Sequence, residues 1–519
     1  MSTGLLIGID LGTTGTRAVL YRADGSPLAS AASDTPLRWS GPGRVDQDPE
    51  DFVAAALSTI RDCVRAAGAG PGDVAAIGVT GQMAGVLGMG ADGRASTPYD
   101  SWLDLRCAPQ LERLEREHGD LLVSVGGCPP MVNHGPKVVW WREEQPEAFA
   151  RTAAWVVPGS YVAARLAGLG ADEAFVDTTY LHFTGLADTR AGAWSPELAE
   201  ALGVPERQLA RIVDPATVVG GLTDEAARAC GLSAGTPIAA GLGDTAAAVL
   251  GAGVVRPGQL LDVAGTAAIL AVSTDRFVPD EASRTMLVMR GAVEGQWVAL
   301  AFLSGGSLLP WLAATLGMTG AEGDERAALA ELVAEAADVP AGADGLLFVP
   351  HLDGRLLPND PTMRGAWVGL HRQHGRPHLV RAVLESVAYE YAGYVRCVRR
   401  LQPGFAPDQG RVVGGGARSA LWNDLKASVL GVPLDRLDRD ELSCWGAALV
   451  AGRAVGAVGD LAEAAERATG VARRHEPDAT DHAAYAAYES IYRDALAMAS
   501  GVGRRLTELG ADRREVTAR

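Results

Sequence analysis

Lysine is almost absent from this chain: of its 46 basic residues only Lys137 and Lys426 are lysines, and the rest are arginines. That skew reads as the base composition of a genome rather than as function. Neither lysine follows a glycine-rich loop in the G-x-x-x-x-G-K-[ST] arrangement, which excludes a P-loop NTPase. An excess of basic residues is missing too. The net charge of −17 leaves nothing to cover nucleic-acid phosphates, so no nucleic-acid partner is expected. Cysteine is sparse and scattered (Cys63, Cys107, Cys128, Cys230, Cys397 and Cys444), without a CxxC pair, the pattern of a reduced, cytoplasmic protein. The nine histidines form no HExxH and no zinc spacing. The longest apolar run, 238–255, is broken by Asp244 and by glycines, so no membrane span is expected. The first residues run straight into an apolar strand and leave no room for a secretory signal. One G-x-G-x-x-G occurs, Gly88 to Gly93, but Arg94-Ala95-Ser96-Thr97-Pro98 follows instead of a helix. We read it as a loop, not a dinucleotide fingerprint.

What is present describes a globular α/β protein. At 519 residues, with 48% hydrophobic and 21% charged residues, two sizeable domains are expected, dividing near residue 250 (1–250 and 251–500), with 501–519 as a tail. Strands are expected at 5–10, 16–22 and 26–33, then a helix from Pro49 to Ala67 with Asp48 as N-cap and Pro49 at N1, then a strand at 74–80. Strands first and alternating helices and strands afterwards indicate a mixed sheet flanked by helices. From about Asp478 the chain looks helical and then frays into a mixed-charge tail with no apolar face to bury.

Three glycine turns stand out. The first, Asp10-Leu11-Gly12-Thr13-Thr14-Gly15-Thr16-Arg17, follows an apolar strand. Its glycines let several N–H groups and hydroxyls point at one anion, and an acid lies beside them that can hold a metal the anion brings. An ordinary β-hairpin explains the same residues equally well. Near residue 260 the pattern starts again, Leu261-Asp262-Val263-Ala264-Gly265-Thr266, as strand, acid and Gly-Thr. The third, Val412-Val413-Gly414-Gly415-Gly416, passes from strand through glycines to a helix start, which suits a phosphate or a ribose at a helix N-terminus. Gly243-Asp244-Thr245 precedes an alanine-rich stretch, where an acid caps a helix and the helix dipole keeps it ionised. Trp102, Asp104 and Arg106 alternate at period two, so an extended segment would present an aromatic, an acid and a base on one face, as a polyol site needs; a surface ion pair beside a packed Trp is the plainer alternative.

Residues 365–385 carry Gly365, Trp367, Gly369, Leu370, His378, Leu379, Ala382, Val383, Leu384 and Glu385, which match the second signature of the FGGY carbohydrate kinases position by position. The first signature is partly present as Lys137-Val138-x-Trp140 with Glu143 and Glu144; His134 and Trp141 depart from it. With the glycine turns, the chain from about 5 to 455 resembles this family of the sugar kinase/Hsp70/actin superfamily. The resemblance implies two RNase H-like domains around a central cleft, ATP and Mg²⁺ as cofactors, and a small sugar as partner, with a homodimer compatible. It implies that Asp244 is the catalytic base and that Asp10 acts on the metal. Thr13, Thr14 and Arg17 would then contact phosphate, Gly265, Thr266 and Gly306 would line the nucleotide site, and Gly415, Gly416 and Asn423 would take its adenosine end. Gln82, Met83, Trp102, Asp104 and Arg106 would join Asp244 around the sugar. The segments resemble the xylulokinase branch, except that Ala84 stands where its Gln-Met-His-Gly carries His and Thr245 where Asn is common. A ketopentose such as xylulose is the expected substrate. Another pentulose, a deoxyketose, a polyol such as erythritol, or a non-catalytic sugar- or nucleotide-responsive binding protein are the alternatives, and a chaperone-type ATPase is disfavoured because no β-strand peptide-binding domain follows.

Overall fold

The apolar run Leu5–Leu11 (β1) turns at Gly12 and returns as Gly15–Tyr21 (β2), and Pro27–Asp34 (β3) completes an antiparallel meander. The protein is described here by a computed structural model covering residues 4–265, 268–303, 305–318 and 325–517. Helix Pro49–Ala67 (α1) follows; the Asp48 carboxylate accepts from Glu50 N at 3.0 Å, and Gly68 closes the helix in the left-handed region. Val74–Gly81 (β4) then pairs parallel to β1. After a long segment of helices and short strands that includes helix His134–Glu144 (α2), strands Val218–Gly221 (β5), Pro237–Ala239 (β6) and the short Leu242–Gly243 (β7) return to this sheet, ordered β5-β6-β4-β1-β2-β3 with β7 also on β4. Asp244–Gly251 (α3) leads out of it.

The second half repeats the plan. Gln259–Ala264 (β8), Ala268–Thr274 (β9), Leu287–Arg290 (β10) and Trp297–Leu303 (β11) come first, then the long helix Arg376–Leu401 (α4). Gln409–Val413 (β12), Ala420–Leu430 (α5), Leu434–Leu437 (β13), Leu442–Ala454 (α6) and Val471–His475 (β14) complete the sheet order β10-β11-β9-β8-β12-β13-β14. Alternating buried residues on β9 and β11 pack against α4, whose Val380, Val383, Leu384 and Val387 are buried. Within the second signature, Arg381 Nε donates to Glu385 Oε1 at 2.8 Å, and Gly342 N and Tyr485 Oη donate to the same oxygen. Those positions thus dock α4 to the last helix, Ala479–Thr517 (α7). That helix runs unbroken through the segment expected to fray. Its Ser500 hydroxyl donates to Asp360 at 2.6 Å, and Gly503 lies against the Thr362 carbonyl, so contacts with the body carry the helix past residue 500.

The halves meet through α6, which lies directly on β1 and β4. A Cβ on Gly8 would collide with the Cys444 carbonyl and one on Gly78 with that of Ala447, so only glycine lets the helix axis come this close. Two expectations are corrected by pairing. Gly88 to Gly90, expected as part of a loop, belong to strand Leu87–Gly90, paired with Thr152–Val156, and the turn proper is only 91–94. Asp262, read as an echo of Asp10, is buried on the other face of its strand, ion-paired to Lys426 Nζ and accepting from Tyr391 Oη at 2.7 Å. It stands three residues before its glycine where Asp10 stands two before Gly12, and one residue of offset reverses the face. All six cysteines are free and buried, and no described helix is long and apolar enough to cross a membrane.

Candidate active site

Register places the two acids. Asp10 lies level with Thr80 and Gly243 level with Gly81, so Asp10 and Asp244 flank the carboxyl end of β4 from its two neighbours, β1 and β7. Asp10 Oδ1 is buried and has no hydrogen-bond partner. Burial, then the charges of Asp244 and Glu441, push its pKa up to about 7, with Arg17 opposing. Asp244 is the first residue of α3 rather than its cap; Gly243 takes the cap position. Its Oδ1 accepts from Thr245 N at 2.6 Å and from the Thr245 hydroxyl at 3.2 Å, which leaves Oδ2 for a ligand. Burial outweighs those bonds and lifts its pKa to about 6, against the expectation that the helix dipole would keep it at an ordinary carboxylate value.

The glycine turn next to Asp10 is closed by Gly12 N on the Gly15 carbonyl at 3.0 Å, with Thr13 half-buried and Thr14 exposed. Arg17, directly across the strand from Asp10, is 47% exposed and ion-paired with Glu441 of the second half. Trp102 Nε1 donates to Thr13 Oγ1 at 3.0 Å while the ring stays 43% exposed, which brings this aromatic to the glycine turn. Gln82 is buried, donating to Gln47 Oε1 at 3.0 Å, with its own Oε1 unpartnered. The end of the Met83 side chain packs against Gly243, so the 81–85 loop abuts the segment that carries Asp244.

Asp104 and Arg106 are not displayed beside Trp102. Residues 101–107 form turns instead of an extended segment, so the period-two argument fails. Asp104 is buried, accepting from Val45 N at 2.6 Å and from Arg106 Nε and Nη2, while Arg106 lies over the Trp140 ring. Lys137 Nζ donates to the carbonyls of Ser101 and Asp104 at 2.7 and 3.0 Å, so this pair fixes the turn that carries Trp102.

On the second half, Gly414 has φ +90° and lies against Ala264, and Gly416 meets the Cβ of the same alanine. The turn after β12 therefore touches the end of β8, with Gly265 half-exposed and Gly415 open on its outer side. Gly306 is half-exposed in the turn before helix Leu308–Thr315; Thr266 lies outside the described residues. Asn423 is fully buried: its Nδ2 donates to the Ala417 carbonyl at 2.7 Å, so it braces the glycine turn from behind rather than facing the opening.

Sequence reasoning missed three contributors. Gln47 Nε2 donates to the carbonyls of Thr13 and Thr35 at 3.1 and 3.0 Å, holding the first glycine turn. Glu441 reaches Arg17 from more than four hundred residues away. The short turn Thr178–Tyr180 ties the site together: the Thr179 hydroxyl donates to Asp177 Oδ1 at 2.5 Å and accepts from Gly243 N at 2.9 Å, and Tyr180 Oη donates to the Gly81 carbonyl at 2.7 Å. One turn thus pins both the segment that carries Asp244 and the start of the 81–85 loop. No local pattern marks these residues, because their partners are distant in sequence.

The family models of the FGGY carbohydrate kinases match the chain, the N-terminal domain over residues 5–251 and the C-terminal domain over 260–455. The chain belongs to that family. It is 29% identical to the xylulose kinase of Escherichia coli K12 over 94% of this chain and 98% of that one. It is 33% identical to a glycerol kinase of Xanthobacter autotrophicus over 86% and 89% of the two. The crystal structure of xylulose kinase from Rhodospirillum rubrum superposes with a TM-score of 0.87 at 28% identity, covering 96% of this chain and all of that one. The FGGY chain is therefore a carbohydrate kinase with two RNase H-like halves, and ATP is the phosphoryl donor of its family.

Proposed function

We propose that this FGGY kinase phosphorylates a ketopentose, xylulose being the first choice, with Asp244 as general base and Asp10 on the metal side, and that its halves divide near residue 250. The observation that carries the reading is the free Asp244 Oδ2 beside the 81–85 loop and across β4 from Asp10. The substrate class is supported by the xylulose kinases that align over nearly the whole chain.

Asp244 Oδ2 would take the proton as the sugar hydroxyl oxygen bonds to the γ-phosphorus and the bond to the β-phosphate oxygen breaks, releasing ADP. Trp102 would give the sugar a flat apolar wall, and Met83 holds the loop against Gly243. Thr13, Thr14 and Arg17 would hold phosphate from the first half, and Gly265, Gly306 and Gly414 to Gly416 would receive the nucleotide from the second. The residues fit Mg²⁺: one buried carboxylate oxygen lacks a partner at Asp10, and among the described residues no three acids, histidines or cysteines gather into a full protein cage. A single carboxylate suits an ion that keeps its waters and arrives with ATP. When bound there it would neutralise charge on the phosphates.

Ala84 favours a second reading. It offers no polar atom where the xylulokinase pattern has His, and it sits in the left-handed region at φ +61°, nearly buried. A sugar hydroxyl at that place must find another partner, so a different pentulose or a polyol competes with xylulose. Coupled ADP release over a panel of ketoses and polyols tests both: the first reading requires D-xylulose to have the highest kcat/KM, and no turnover with any sugar would overturn kinase activity itself.

A further inference from the structure

A cavity of about 600 Å³ opens in the second half between α4, α7 and the segment 351–363, and none of the residues assigned above to sugar or nucleotide lines it. Its volume is that of a small-molecule site. Four arginines line it: Arg355 from the segment, Arg396 and Arg400 from α4, and Arg493 from α7.

Their counter-charges fall short at one place. Glu489 pairs with Arg396 and is also the carboxylate next to Arg493, at 3.8 Å, so two guanidinium groups share one acid. Arg400 is answered by Asp280 at 2.9 Å. Burial, with Arg493 and Arg400 beside it, pulls the Arg396 pKa down although Glu489 pairs with it. The opposite side of the cavity has acceptors. Glu390 is held ionised by Arg355 and His351 against its burial, but its Oε1 accepts from Tyr492 Oη at 2.8 Å and its Oε2 from Arg355 at 3.4 Å, so it anchors Arg355 rather than facing the opening. Asp360 lies nearby, accepting from Ser500 at 2.6 Å, and Arg355 Nε is buried without a partner. The cavity's tyrosines, Tyr389, Tyr394 and Tyr492, have their rings buried, which leaves no open aromatic face for a nucleobase to stack on.

We propose that this cavity binds a sugar phosphate, with the phosphoryl group between Arg396 and Arg493 and a sugar hydroxyl directed to Asp360 Oδ2. Planar guanidinium forks on two helices suit a phosphoryl dianion, and ionised carboxylates accept from hydroxyls. A kinase of this family makes sugar phosphates, so the ligand's chemistry is that of its own product class, bound away from the site of transfer.

The test is calorimetry on the full-length protein with fructose 6-phosphate, inorganic phosphate and AMP as separate probes. Fructose 6-phosphate should bind with Kd below about 1 mM and weaken about 10-fold or more in the double variant Arg396→Gln/Arg493→Gln, while turnover without added sugar phosphate stays unchanged. Ala497→Trp, which fills the cavity from the exposed side of α7 and leaves every charge in place, should abolish binding equally. In the wild-type protein, amide exchange should slow along 489–500 when fructose 6-phosphate is added. Binding that persists in both variants belongs to the cleft and overturns the proposal. Equal binding of inorganic phosphate or AMP, or no slowing of exchange along 489–500, overturns it too.

Discussion

In the first half β1 and β2 meet at a glycine turn two residues beyond Asp10; in the second, β8 and β9 meet at one three residues beyond Asp262. Each strand is central in its sheet, and each acid has an arginine or a lysine near it. Asp10 nevertheless has an unpartnered oxygen at the junction of the halves, whereas both Asp262 oxygens are taken by Lys426 and Tyr391 in the core. The difference teaches that a hairpin's sequence pattern does not assign its acid to chemistry or to structure. The count of residues between acid and turn does, because it selects the face of the strand.

The largest effect is expected on the open side. Asp244→Asn keeps size and one acceptor but removes the proton site, so kcat should fall roughly 10²- to 10⁴-fold with ATP binding little changed, as single-turnover and titration measurements would show. The pH dependence sharpens the same point. With its pKa raised from an ordinary carboxylate value to about 6, Asp244 is protonated below that pH, and the acid limb of kcat/KM should fall near pH 6. Because the folded state binds that proton more tightly than the unfolded chain, ionising Asp244 costs stability as pH rises through about 4 to 6, and the Asn variant should melt higher than wild type at pH 8. A variant with near wild-type kcat would remove Asp244 from the role.

The closed side should answer in stability instead. Lys426→Met leaves Asp262 buried and uncompensated, which costs about 3–5 kcal/mol in denaturant unfolding. Adding Asp262→Asn should recover much of it, since the loss comes from the stranded charge. If Lys426→Met instead unfolded normally but lost phosphoryl transfer, the second hairpin's acid would belong to the chemistry after all.

Intermediate effects should come from the turn that pins the site. Thr179→Val strands Gly243 N–H and leaves Asp177 Oδ1 only the backbone N–H at 179, an effect of about 1–2 kcal/mol on positioning, or roughly 10-fold in kcat, and Thr179→Ser should restore it. An unchanged kcat in Thr179→Val with lowered Tm would make the turn merely structural. The smallest effect is on specificity: Ala84→His should raise kcat/KM for D-xylulose relative to other sugars by about 1–3 kcal/mol, and a wild-type protein already best with D-xylulose would show that Ala84 leaves no hydroxyl unpaired.

The sequence by itself determined the strand-first halves, the limits of β1 to β4 and α1, the three glycine turns, and the residue types at Asp10 and Asp244. Each of these rests on short-range physics: burial of an apolar run, a cap, or a turn needing glycine. It also carried the family, because the second signature is a contiguous stretch, although the structure shows that Arg381 and Glu385 there dock α4 to α7. What only the tertiary structure decided lies in pairings between distant segments. Whether Asp104 met solvent or Val45, whether Asn423 looked out or braced a turn, which face Asp262 took, and that Gln47, Thr179 and Glu441 hold the site all depend on partners tens to hundreds of residues away. A side chain's type fixes what it can bond, but its burial and its neighbours fix what it does bond, and those are set when the sheets and α6 come together.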